Sequence, residues 1–319
     1  MTAPLPYLDL NSYLRQRFGE RVQKITLDAG LTCPNRDGRV GVGGCLYCNA
    51  RGSGTGAWAE GLSISRQMEE GMARLRRRYG ARKFIAYFQS FSNTYAPLER
   101  LAALYREALS FPEVVGLSIG TRPDCLEDEV LDWLAGCLPK YLVWLELGLQ
   151  SAHDATLQRL NRGHDVACFT RAVGRAAARE LGVVAHVILG LPREGPAEMA
   201  ATARFLAGLP LQGVKIHLLY VTRDSGLARA YQAGEYRCLT QAQYISGLVD
   251  FIELLPPHFI IHRLTGDPHP GELLAPAWCL EKSRVLQAIA REFARRGSRQ
   301  GSRWEPQPGE RRDLPADRP

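Results

Sequence analysis

The stretch KFIAYFQSFSNTYAPLERLAALYREALSFPEVVGLSIG (residues 83–120) reads as strand, helix, strand. KFIAYFQ (83–89) and VVGLSIG (114–120) are short, unbroken apolar runs, as expected of strands covered by helices. Between them APLERLAALYREAL (96–109) reads as a helix. The same alternation extends in both directions. VQKITL (22–27) is an earlier strand, followed by a long Gly- and Cys-rich loop and a helix around 65–79. YLVWLELGLQ (141–150), VVAHVILG (183–190) and GVKIHLLY (213–220) are later strands, with helices near 126–136, 166–181 and 196–207. Six strand–helix units predict an α/β fold with a parallel sheet and right-handed crossovers.

Periodicity alone is equally compatible with an open sheet and a barrel. The positions of polar residues add to it: Cys33, Gln89, Thr121, Arg122, Glu146, Gln150 and Arg193 all fall at or just past strand C-terminal ends. In parallel α/β folds that rim is where sites are built, so the series argues for one shared site on a barrel or curved sheet. Residues 1–20 form a lead-in and 21–222 the core. The rhythm changes after 222. A helix at 240–255, the apolar run FIIHRL (259–264) and a helix near 280–295 predict a C-terminal α/β extension over 223–296. The polar, Pro-rich segment 297–319 is expected to be disordered.

With 45% hydrophobic and 23% charged residues in a chain of 319, the composition is globular. No apolar run reaches about 18 residues, so a membrane span is not expected. The first residues lack the pattern of a signal peptide, and a cytoplasmic location is expected. The net charge of +7 is partly concentrated at the end, where residues 291–319 carry eight Arg against five acids. That surplus is compatible with an anionic partner such as RNA. The run Arg74, Arg76, Arg77, Arg78, Arg82, Lys83 reads either as a solvated helix end or as a phosphate contact.

Eight cysteines in a cytosolic chain do not make a disulfide framework. Cys33, Cys45 and Cys48 cluster with spacing C-x11-C-x2-C, whereas Cys125, Cys137, Cys168, Cys238 and Cys279 are scattered. Gly38, Gly41, Gly43 and Gly44 let the intervening loop wrap closely around a bound group. A structural zinc site or an electron-transfer cluster normally takes four protein ligands, and no fourth Cys or His lies nearby. Three ligands suit an iron–sulfur cluster with one open iron. Zinc with a distant fourth ligand and inert thiols are the competing readings.

Cys45-Leu-Tyr-Cys48 resembles the second half of the radical S-adenosylmethionine (radical SAM) signature, with Tyr47 in the aromatic place. The gap before it is longer than in the commonest signature, a feature of some branches that include the catalytic subunit of Elongator. LTCPNRDG (31–38), GGCLYCN (43–49), YFQSFSNTYAP (87–97), TRPDCL (121–126), ELGLQS (146–151), NRGHD (161–165), ILGLP (188–192) and RLTGD (263–267) together resemble the YhcC/YtqA family of radical SAM proteins. The likeness runs from about residue 7 to 290.

The resemblance implies a partial (β/α)6 TIM-like barrel with a C-terminal extension. It implies one 4Fe–4S cluster on Cys33, Cys45 and Cys48, with SAM on the remaining iron. Reductive cleavage of SAM would give a 5′-deoxyadenosyl radical, with electrons from a flavodoxin- or ferredoxin-type donor. The segment 89–94, beginning Gln89-Ser90, stands in the place of the motif that meets the SAM amino group, although it departs from the usual Gly-Gly-Glu. Ser118, Thr121 and Arg122 stand where relatives contact ribose or carboxylate, and Arg122 could equally pair with Glu127 or Asp128. Glu146 and Gln150 end a strand that faces SAM in relatives. Arg162 or His164 would meet the SAM carboxylate, His164 reading equally as a helix cap. Ile188 to Pro192, Leu189 among them, would form the adenine shelf. His186 and His217 read either as barrel-lining groups or as satisfied core residues. Relatives that process the 5-substituent of wobble uridine make tRNA the expected substrate, with a small metabolite or a protein as alternatives. The reading from a different class is a non-catalytic zinc or RNA-binding module; methyl transfer by direct displacement would leave the cysteine loop unexplained.

Overall fold

The computed structural model describes residues 5–52 and 54–306. Helix α1 (Leu10–Phe18) leads into β1 (Val22–Leu27), α2 (Ile64–Tyr79), β2 (Lys83–Phe88), α3 (Leu98–Leu109) and β3 (Val114–Thr121). Then come α4 (Asp128–Ala135), β4 (Leu142–Gln150), α5 (Asp154–Arg159), α6 (Val166–Ala177), β5 (Gly182–Leu189), α7 (Pro196–Ala207) and β6 (Gly213–Leu218). The chain finishes with β7 (Val221–Thr222), α8 (Leu227–Gln232), α9 (Gln241–Glu253), β8 (Ile260–Arg263), β9 (Leu273–Ala275) and α10 (Lys282–Arg296).

All six expected strands form one parallel sheet in chain order, and β8 adds a seventh at the edge beside β6. The segment expected to be an appended extension therefore completes the core sheet. Every residue of the central strand β4 is buried, which explains its continuous apolar character. The sheet curls. Lys24 on β1 and His262 on β8 belong to opposite edges of the sheet, yet Lys24 Nζ lies 3.2 Å from His262 Nδ1. The chain's first described residues cover the seam between these edges. Ile261 N donates to Leu8 O at 2.8 Å, and α1 packs on both β1 and β8.

Strand periodicity builds the interior in layers. Val22, Ile85, Leu142, Trp144, Val184 and Ile260 form an apolar cluster with Leu14 of α1, plugging the end where the strands begin. Two residues further along the strands stand Lys24, Tyr87, Glu146, His186 and His262, all polar. The outer faces of the strands pack against the helices in one large apolar core.

The end of the chain departs from expectation. Residues 297–306, predicted to be disordered, are held by hydrogen bonds. Gln300 is buried; its Nε2 donates to Pro256 O (2.7 Å) and Phe259 O (2.8 Å), and its Oε1 accepts from Leu8 N at 2.9 Å. Arg303 pairs with Asp250 and Glu253. A single buried glutamine thus satisfies three backbone groups, which composition could not reveal. Residues 307–319, the rest of the expected disordered tail, lie outside the described residues.

Candidate functional site

The C-terminal ends of the strands open into a cavity of about 610 Å³. The loop after β1 forms one wall and carries Cys33, Cys45 and Cys48, all of which line the cavity. Gly43 (φ 81°) and Gly44 (φ 80°) are consecutive left-handed residues, a turn that favours glycine, and they bring the chain back to Cys45. The loop is pinned within itself, where Gly44 N donates to Asn35 O at 2.8 Å, and by the segment after α5, where Leu46 N donates to Leu160 O at 3.0 Å and Asn161 Nδ2 to Gly44 O at 2.9 Å.

Cys45 receives two donors, from Asn35 Nδ2 at 3.5 Å and Arg162 Nη1 at 3.6 Å. Burial alone would push its thiol pKa up, but the Arg162 charge and hydrogen bond outweigh that and hold it below the usual thiol range. At Cys48 burial outweighs the charge and hydrogen bond of Arg36, and the thiol is pushed up. Arg162 is itself fixed: its Nη2 donates to Gly148 O at 2.7 Å, and its backbone carbonyl accepts from Arg122 Nη1 at 2.8 Å. Arg122 forms a two-point pair with Asp124, at 2.8 and 2.7 Å, rather than with the expected Glu127 or Asp128. The expected His164 cap is also absent: Asp165 caps α6, while His164 Nε2 lies 3.2 Å from Gly148 O.

Among the described residues no three His, Cys, Asp or Glu side chains gather around a point that one metal ion could fill. Thiolates that each bind a different iron need no common point. Arg162 Nε, beside Cys45, is buried with no hydrogen-bond partner among the described residues. An anionic cluster among these donors fits the wall better than a single zinc ion.

The cavity floor is a charged layer fed by seven strands. Glu146 has no exposed side-chain surface. Its Oε1 accepts from Lys24 Nζ and Ser118 Oγ, and its Oε2 from Lys215 Nζ at 2.9 Å, with His186 Nε2 at 2.7 Å. Lys215 Nζ also donates to Tyr87 OH at 2.7 Å. Burial raises the carboxyl pKa, but the two lysine charges outweigh it and hold Glu146 well below the usual range. Burial depresses both lysines, Lys215 to about 7. It also lowers His186 to about 4 and holds His217 and His262 well below the usual imidazole range, with neighbouring cations adding to the effect.

Of the residues expected at the site, Gln89, Thr121, Arg122, Glu146, Gln150, Arg162, His186 and His217 line this cavity. Three do not. Leu189 packs in the outer core, and strand alternation gives the inward place to Ile188. Ser118 lies one layer down, bonded to Glu146 and Lys24. Ser90 is fully buried behind Gly54, where a Cβ would stand 1.8 Å from its hydroxyl. Lys24, Tyr87, Lys215 and Arg263 went unanticipated; two lysines inside apolar strands, one in VQKITL and one in GVKIHL, were the available signal.

Residues 33–206 match the radical SAM superfamily and residues 211–295 the radical SAM C-terminal domain. The chain belongs to the radical SAM superfamily. Within the superfamily it is 41% identical over 295 residues to the uncharacterized protein YtqA of Bacillus subtilis, covering 92% of each chain. It is 40% identical to protein YhcC of Escherichia coli K12, covering 92% of this chain and 95% of that one. Elongator complex protein 3 of Mus musculus is 29% identical over 50% of this chain and 29% of its own. Among solved structures, the archaeal Methanocaldococcus infernus Elp3 superposes with a TM-score of 0.68 at 15% identity, covering 88% of this chain and 64% of that one. Methylornithine synthase (PylB) superposes at 0.53 with 13% identity over 91% and 86%. These two likenesses confirm the curled radical SAM barrel. No described helix is long and apolar enough to cross a membrane.

Proposed function

We propose that this chain is a radical SAM enzyme whose Cys33, Cys45 and Cys48 hold a 4Fe–4S cluster in the cavity wall. Bound there, the cluster and SAM supply a 5′-deoxyadenosyl radical from reductive cleavage, with electrons from a flavodoxin- or ferredoxin-type donor. The observation that carries the reading is the set of three cysteines along one cavity wall, with Arg162 and Asn35 donating to Cys45.

The chain's own groups have separable tasks. Arg162 stabilises the Cys45 thiolate, the form that binds iron. Gln89, Thr121, Gln150 and Ile188 line the space between cysteines and floor, where SAM binds. The floor keeps Glu146 ionised and its lysines fixed, which orients whatever enters above.

The substrate we favour is a modified uridine of tRNA. Likeness to the Elongator branch supports this, as do the exposed Arg39, Arg51, Arg193 and Arg223, which sit on loops beyond the C-terminal ends of strands. Guanidiniums on loops at strand ends suit a phosphate backbone. The run at 74–83 does not serve this purpose: it ends α2 at the opposite rim, where Arg76 pairs with Glu113 and Arg82 and Lys83 pair with Glu20. Two experiments test the reading. Anaerobically reconstituted protein should hold about four irons and release 5′-deoxyadenosine with dithionite and SAM. Modified nucleosides in tRNA should differ between cells with and without the protein; unchanged tRNA turns the substrate search to a small metabolite or protein.

A further inference from the structure

The floor of the cavity carries more positive charge than the protein itself balances. Lys215 on β6 and Arg263 on β8 are register partners, and both line the cavity. The pairing exists because β8 carries one extra residue: Val214 faces Ile261 and Lys215 faces Arg263, with His262 between. One carboxylate, Glu146, already serves both Lys24 and Lys215. Arg263 makes no hydrogen bond or ion pair among the described residues.

The acids nearest in the chain are engaged elsewhere. Asp267 pairs with Lys282 at 2.9 Å, while Glu272 pairs with Arg51 at 3.7 Å and accepts from Asn49. At the cysteine end Arg122 has Asp124 and Arg162 has Cys45. Arg263 is half-buried, and its guanidinium faces the cavity without a counter-charge, so its donors are free for a ligand oxyanion. His217 lines the same space, within range of the charges of Arg263 and Lys215.

We propose that Arg263, flanked by Lys215 and His217, forms an oxyanion subsite on the cavity floor that holds the carboxylate or phosphate end of the molecule attacked by the SAM-derived radical. The inference rests on the reading of this cavity as the SAM-cleaving site. It places an anionic group on the substrate at the end that meets β6 and β8.

The test is calorimetric titration of malonate and of inorganic phosphate into the anaerobically reconstituted full chain with SAM present. At least one anion should saturate a single site, and which one does so separates a carboxylate from a phosphate. Arg263→Gln should weaken that binding about tenfold or more, the effect of losing a charged hydrogen bond. Arg263→Lys, which keeps the charge and reports on folding, should bind within about threefold of the unaltered chain. SAM affinity should stay within about twofold in both variants. The proposal is overturned if neither anion saturates, if Arg263→Gln binds as tightly as the unaltered chain, or if it loses SAM in step with the anion. Arg263-dependent anion binding without SAM cleavage supports the subsite and counts against the radical reading instead.

Discussion

Arg162 Nη1 donates to the Cys45 sulfur across 3.6 Å, one of several contacts that join the loop after β1 to the loop after α5. The guanidinium stabilises negative charge on the sulfur. Replacing it with Gln should lower the reduction potential of a bound cluster by roughly 60 mV, one tenfold step for a one-electron couple. An EPR-monitored redox titration reads this directly. An unchanged potential would mean that the charge is screened from the cluster.

Gly148 carries the carbonyl that holds the other arm of that guanidinium. A Cβ there would stand 2.5 Å from Arg162 Nη2 and 2.6 Å from Gln150 Nε2. Gly148→Ala should therefore displace Arg162 while the fold persists. Iron bound per chain after desalting should fall by at least about tenfold in affinity, the range seen when groups supporting metal ligands are lost. Far-ultraviolet circular dichroism should be unchanged.

Much of this was legible in the sequence. The six strands, the cavity-lining cysteines and most strand-end polar groups follow from apolar runs and residue position. The charged floor was not legible, because Lys24 and Lys215 sit in strands whose curl alone brings them to Glu146. Leu189 was misplaced for the opposite reason: a one-residue error along a strand exchanges the two faces.

Glu146 balances two buried lysines, so removing its charge leaves both unpaired. Glu146→Gln should destabilise the chain by about 3–5 kcal/mol, as for other broken buried pairs. Urea denaturation measures it. A loss under about 1 kcal/mol would mean that water reaches the lysines readily.

The depressed Lys215 predicts a pH dependence of stability. Its folded pKa, about 7, lies below the ordinary 10.5, so the unfolded chain holds the proton more tightly. The penalty is complete below pH 7 and fades as pH rises toward 10.5. Relative to Lys215→Met, the unaltered chain should gain about 2 kcal/mol between pH 7 and pH 9. A flat difference across that window contradicts the assignment.

Gln300 ties the last described turn to the start of the chain through Leu8 and to the α9–β8 loop through Pro256 and Phe259. Gln300→Ala should cost about 1–3 kcal/mol through the stranded backbone groups. Hydrogen exchange at the Leu8 amide should accelerate with it.

The most direct test of the account is Cys45→Ala, purified and reconstituted without oxygen beside the unaltered chain. A near-colourless variant that yields no 5′-deoxyadenosine with dithionite and SAM is expected. A variant that keeps its iron and cleaves SAM at the unaltered rate would contradict it.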